Sequence, residues 1–181
     1  MTSETLLQSM IGEVEEYWTE SDNNFSSPEH QSHTSSKRVF VVHGHNEAIR
    51  NSVARFLERI DLDPIILNEK PNKGGTVIEK FFDYADVGFA VVLLTADDVG
   101  RAKDDDALLP RARQNVILEL GFFLGRLSSG RVAALYENDV KIPSDYKGVI
   151  YTPLDDAGAW QLSLARELHA AGLEVDLNKI M

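Results

Sequence analysis

The chain has 181 residues, 43% of them hydrophobic and 26% charged, with a formal net charge of -11 and no cysteine. That length fits one domain of ordinary size plus a tail, and no apolar run approaches the ~18 residues that a membrane span needs. The lack of cysteine excludes a disulfide framework, a thiolate metal site and a cysteine nucleophile, and with no secretory signal in view it fits a cytoplasmic protein; the acidic balance excludes DNA and RNA as partners, because their binding depends on neutralising phosphates with Lys and Arg.

The acid is concentrated at the start. Residues 1–36 hold seven acids (Glu4, Glu13, Glu15, Glu16, Glu20, Asp22 and Glu29) and no Lys or Arg, leaving 22 acids against 18 bases for the rest. Within residues 1–20, Leu6, Leu7, Met10, Ile11, Val14 and Trp18 recur at helical spacing, which predicts an amphipathic helical tail. Residues 21–36 turn to Ser, Asn, His, Gln and Thr, a composition that buries too little apolar surface to fold and reads as a polar linker. The tail is either a docking helix for a partner or oligomer, or a frayed end or remnant of an upstream domain.

From residue 37 to 181 short β-branched runs alternate with longer helical patterns. Strands are predicted at 38–42, 64–67, 89–94, 131–136 and 148–151, and helices at 46–60, 76–86, 115–127 and 156–171. Thr76 and Glu79 have the spacing of a capping box at the start of the second helix. Most strands are apolar at nearly every position, as in a parallel sheet covered on both faces. The fold class is therefore α/β: a flavodoxin-like, doubly wound, five-stranded parallel sheet of order 2-1-3-4-5 with helices on both faces. Ligands of such sheets bind beyond the C-terminal strand ends where the order reverses. Here strand one runs into His43-Gly44-His45-Asn46 and strand three into Thr95-Ala96-Asp97-Asp98, so these two loops flank the expected crevice.

The helix after strand three, within "RARQNVILELGFF", carries one carboxylate. At 100° per residue Val116, Leu120, Phe123, Leu124 and Leu127 form its buried stripe, with Glu119 at the edge and Asn115 one turn earlier on the same side. Glu119 is thus either a solvated edge residue or a group that does chemistry. Arg111 and Arg113 lie near the helix N-terminus, where free N–H groups favour an anion; the alternative is pairing with Asp104, Asp105 and Asp106 on the surface. His43 and His45 have the spacing of a metal pair but lack a clear third ligand, so no metal is expected. A loop that places imidazole or backbone against a ligand, or a plain strand-to-helix turn capped by Asn46, are the readings that remain. "PNKGGT" (71–76) lacks P-loop spacing, and neither G-x-G-x-x-G nor G-x-S-x-G is present.

"RVFVVHGHNEAIR", "PNKGGTVIEKF", "DVGFAVVLLTADD" and "RARQNVILELGFFLGRL", in this order, resemble a bacterial TIR-like domain, and within that group the predicted nucleotide-binding TIR-like branch found as effectors in TIR-STING and Pycsar antiphage systems. The resemblance covers residues 38 to about 176. It implies an NAD+ glycohydrolase that releases nicotinamide and ADP-ribose or a cyclic ADP-ribose, with NAD+ as substrate and no cofactor. It makes Glu119 the key catalytic residue and nominates His43, Gly44, His45, Asp97, Arg111, Arg113 and Asn115 for substrate binding. It further implies a defence or cell-death effector active when assembled, self-associating through the loop Pro71 to Thr76, and an upstream cyclic-nucleotide sensor or activator. The chain departs from the animal and plant pattern in having no cysteine beside the glutamate, and Gly75 stands where a larger basic residue is expected. A nucleoside deoxyribosyltransferase-like enzyme and a non-catalytic nucleotide-binding signalling module are the alternative functions.

Overall fold

The structure, a computed structural model, describes residues 36–67, 77–143 and 148–180. The expected tail helix, nearly all of the linker, Thr76 of the capping box and the loop Pro71 to Thr76 lie outside the described residues.

Five strands form a parallel sheet: β1 (Arg38–Val42), β2 (Asp63–Ile65), β3 (Phe89–Leu94), β6 (Val132–Tyr136) and β7 (Ile150–Pro153), in the order β2-β1-β3-β6-β7. This is the 2-1-3-4-5 order expected once the two extra strands described below are set aside. The register pairs Val39 with Phe89 and Val42 with Val92 on one side of β3, and Ala90 with Val132 on the other. All six residues of the central strand β3 are buried, because helices cover both faces.

Side-chain alternation divides the core in two. Val39, Val41, Val91, Leu93, Ala133 and Leu135 point to one face, where they meet Val53, Phe56 and Leu57 of α1 (Glu47–Arg59) and Trp160, Leu164 and Leu168 of α4 (Ala159–Ala170). Phe40, Val42, Ala90, Val92, Leu94 and Ala134 point to the other. There they meet Phe81 of α2 (Val77–Tyr84) and Val116, Leu120, Phe123 and Leu127 of α3 (Gln114–Leu127). Phe123 is fully buried and its ring packs 4.8 Å from that of Phe40, centroid to centroid. This contact fixes the rotation of α3 about its axis, and with it the direction of Glu119.

Several boundaries differ from the sequence reading, each for a local reason. The fourth core strand begins at Val132, since Ser129–Arg131 form a 3-10 turn after Ser128 takes a left-handed φ of 70°. The second and fifth core strands occupy Asp63–Ile65 and Ile150–Pro153. The last helix begins at Ala159, because the Asp155 carboxylate accepts hydrogen bonds from the N–H groups of Ala159 and Trp160 and so sets where the helix starts. The stretch between strand three and α3 contains an antiparallel hairpin, β4 (Asp98–Gly100) with β5 (Leu109–Arg111), in addition to the five strands expected. Its strands are three residues long, bury none of their residues and lack polar–apolar alternation, so periodicity carries no signal there.

Candidate functional site

The chain reverses its winding direction between β1 and β3, and the loops that leave these two strands approach each other closely. Gly44 lies against Asp97: a Cβ at this position would come within 1.8 Å of Asp97 Oδ2. Only glycine lets the two loops meet. Asp97 is engaged through both carboxylate oxygens, Oδ1 accepting from the His45 backbone N–H at 3.0 Å and Oδ2 from the buried Thr95 hydroxyl at 2.5 Å. With both oxygens occupied, Asp97 shapes the loop after β1. His43 Nδ1 donates to the Gly44 carbonyl at 2.7 Å, which fixes the tautomer of this ring. Asn46 caps α1, its Oδ1 accepting from the Ile49 N–H at 3.2 Å, as its position before the helix suggested.

The opposite wall is the head of α3. Arg113 occupies the N-cap position without a side-chain capping bond, so the first N–H groups of the helix remain available to an anion. Its guanidinium Nη1 donates to His45 Nε2 at 2.8 Å, joining the loop after β1 to α3. Arg111 closes β5 and pairs in register with Asp98. Its guanidinium lies against Gly100, where a Cβ would fall 2.4 Å from Cζ, and its buried Nε has no hydrogen-bond partner among the described residues. Among the described residues neither Arg111 nor Arg113 forms an ion pair with Asp104, Asp105 or Asp106.

Val116, Leu120, Phe123 and Leu127 are buried as the helical stripe requires, while Leu124 is half-buried. Glu119 is half-buried at the stripe's edge. Loss of hydration pushes its carboxyl from 4.5 up to about 7, against the opposing pull of the Arg113 guanidinium. Carboxyls shifted this far by burial cluster at functional sites. Asn115 is exposed, so the structure does not bring it into the same environment as Glu119.

Glu137, at the end of β6, escaped the sequence reading. Its Oε1 accepts from Asn46 Nδ2 at 3.2 Å and its Oε2 from the Ala96 N–H at 2.6 Å, so one carboxylate ties together the loops after β1 and β3. Its position at the C-terminal end of a core strand was the one available signal. A groove lined by Ser52, Arg55, Arg59 and Gln161 runs between α1 and α4. It lies on the sheet face away from α3, and no residue of the crevice lines it. Among the described residues no group of His, Cys, Asp and Glu side chains converges as a metal site would require, and no helix is long and apolar enough to cross a membrane.

A five-stranded parallel sheet of this order, with helices on both faces, defines a flavodoxin-like α/β domain of the kind TIR domains adopt. The family model for the TIR domain of the CAP12/Pycsar effector protein matches residues 38–156, and the chain belongs to that family. It is 48% identical over 147 residues to the uncharacterized protein YuaY of Escherichia coli, an alignment covering 81% of this chain and 49% of YuaY. Protein tirC of Dictyostelium discoideum is 32% identical over 125 residues, covering 63% of this chain and 62% of tirC. The Pycsar effector protein XpPycTIR of Xanthomonas perforans is 43% identical over 70 residues, covering 38% of this chain and 22% of that protein. The chain thus spans about half the length of YuaY and less than a quarter of XpPycTIR.

Proposed function

We propose that this chain is an NAD+ glycohydrolase with Glu119 as its catalytic carboxylate, acting as a defence effector that assembly switches on. The observation that carries this reading is the burial of the Glu119 carboxyl, half-buried on α3 where loss of hydration pushes its pKa up to about 7. In the reaction the bond between the anomeric carbon and the nicotinamide nitrogen breaks heterolytically. Both electrons leave with nicotinamide, which departs neutral and needs no acid to protonate it, so a single carboxylate suffices where most glycosidases use two. Positive charge develops on the ribose, and an ionised Glu119 stabilises it by lying against the ring or by adding to the anomeric carbon. Water then adds to the anomeric carbon, displacing the Glu119 carboxylate where that bond has formed, and its proton passes to solvent. A carboxylate with little hydration left attracts that developing charge more strongly than one in bulk water.

The remaining groups serve the rest of the substrate. Arg111, Arg113 and the free N–H groups of α3 meet the pyrophosphate, Arg113 using one of its five donors on His45 and keeping the others. His43, Gly44 and His45 line the approach to the sugar, and Asp97 holds their loop. Self-association through the loop 71–76 and activation by a cyclic-nucleotide sensor upstream complete the proposal, and the word effector in the names of the family and of the Xanthomonas relative supports the effector role.

The purified chain is incubated with NAD+ over a range of protein concentrations, with products followed by mass spectrometry. Nicotinamide release that rises more steeply than protein concentration, and falls on the order of 10²-fold to 10³-fold in Glu119→Gln, is the expected result. A Glu119→Gln variant as fast as the parent overturns the assignment. Transfer of the sugar to an added base without net hydrolysis points instead to a transferase.

A further inference from the structure

Glu137 stands at a junction of three segments that are distant in sequence. Besides holding Asn46 and Ala96, it begins a turn in which the Val140 N–H donates to the Glu137 carbonyl at 3.0 Å. The next residue, Lys141, donates its N–H to the Pro110 carbonyl of β5 at 2.8 Å, one residue before Arg111. The Glu137 N–H in turn donates to the Leu94 carbonyl at the end of β3. The carboxylate caps no helix, and both of its donors lie in loops that border the crevice. From Asn46 and Ala96 the chain of contacts continues through their immediate neighbours: Asp97 accepts the His45 N–H, and the His45 ring accepts from Arg113 at the head of α3.

We infer that Glu137 is a positioning residue of the crevice, its carboxylate holding the loops after β1 and β3 together so that His45 reaches Arg113. Two loops leaving adjacent parallel strands each present a donor here, an N–H from one and a side-chain amide from the other. A carboxylate is suited to satisfy both, since its two oxygens accept and neither donates. A backbone N–H given to an ionised carboxylate, as at Ala96, is a charge-assisted bond. An amide at this position keeps one acceptor and turns the other arm into a donor facing a donor, so one of the two loops is released. The consequence for the glycohydrolase reaction, on which the kinetic half of this inference rests, is a ribose held loosely against Glu119. A displacement of about 1 Å costs on the order of 10²-fold in rate.

The test compares Glu137→Gln and Glu137→Leu with the parent, by nuclear magnetic resonance and by NAD+ turnover. In the parent the Ala96 amide proton is expected to resonate downfield and to exchange slowly. In both variants it moves upfield, and the His45 Nε2 resonance shifts as its bond to Arg113 loosens. With the fold retained, kcat/KM falls about tenfold or more in Glu137→Gln and further in Glu137→Leu. In an Arg113→Gln background the Glu137→Gln loss shrinks, because both act through one chain of contacts. The inference is overturned by a parent Ala96 amide that exchanges freely, by a His45 resonance unchanged in folded variants, or by losses that multiply independently. If the parent itself leaves NAD+ intact, the glycohydrolase reading fails, while the Ala96 and His45 resonances still decide the role of Glu137.

Discussion

Replacing Glu119 by Gln probes the environment of this carboxyl without reference to any reaction. Burial on α3 raises its pKa from 4.5 to about 7 in the folded protein. The folded state therefore keeps a proton that the unfolded chain has already released. Below 4.5 both states are protonated and the group is neutral in its effect; stability then falls as pH rises from 4.5 to about 7, and above 7 the penalty is complete and constant. At about 1.36 kcal/mol per pKa unit, the difference between the two states corresponds to about 3 kcal/mol. About 2.5 kcal/mol of it develops between pH near 5 and pH near 8, and because Glu119 keeps some exposure, solvent screening reduces the expected change to about 2 kcal/mol. Denaturant unfolding of parent and Glu119→Gln, measured at several values across that range, checks this. The variant should be the more stable protein, by a margin that widens by about 2 kcal/mol from the acid to the alkaline end. Parallel stability profiles for the two proteins would refute the reasoning, since they would mean that the carboxyl is not desolvated by docking of the helix. A variant both more stable and less active is the signature of a group kept in an unfavourable site for the sake of its chemistry.

Two further outcomes follow from the geometry of the crevice. The kcat/KM for NAD+ should rise about tenfold per pH unit on the acid side and level off above about 7, as Glu119 ionises in the free enzyme; removing the opposing Arg113 charge with Arg113→Gln should move that limb to higher pH, and an unmoved limb in the pH–rate profile would separate the two residues. Gly44→Ala drives a Cβ to within 1.8 Å of Asp97 Oδ2, forcing Asp97 off its bonds to His45 and Thr95. The expected loss of about 1–3 kcal/mol in unfolding experiments, together with weakened turnover, should be partly restored by Asp97→Ala in the same chain, and no restoration would show that the clash is not the cause.

Much of the architecture is local information and was legible along the chain. The all-apolar run Phe89–Leu94 announces a strand covered on both sides, the spacing of Val116, Leu120, Phe123 and Leu127 announces the buried stripe of α3, and Asn46 announces a helix start. Alternating such segments leaves few topologies, which is why the sheet order followed. What tertiary structure alone decided is how polar groups meet across long sequence separations. The register of β1 against β3 brings Gly44 onto Asp97 and occupies both of its oxygens. Hairpin β4–β5 forms by pairing two three-residue segments that carry no periodic pattern. Glu137 gains its role from two donors on other strands' loops. Glu119 is the clearest case: helical periodicity placed it at the edge of the stripe, but an edge position is compatible with full hydration. Whether its carboxyl is hydrated depends on how closely α3 packs against the sheet and on what lies over that edge. Those are properties of the folded core, and they set its affinity for a proton.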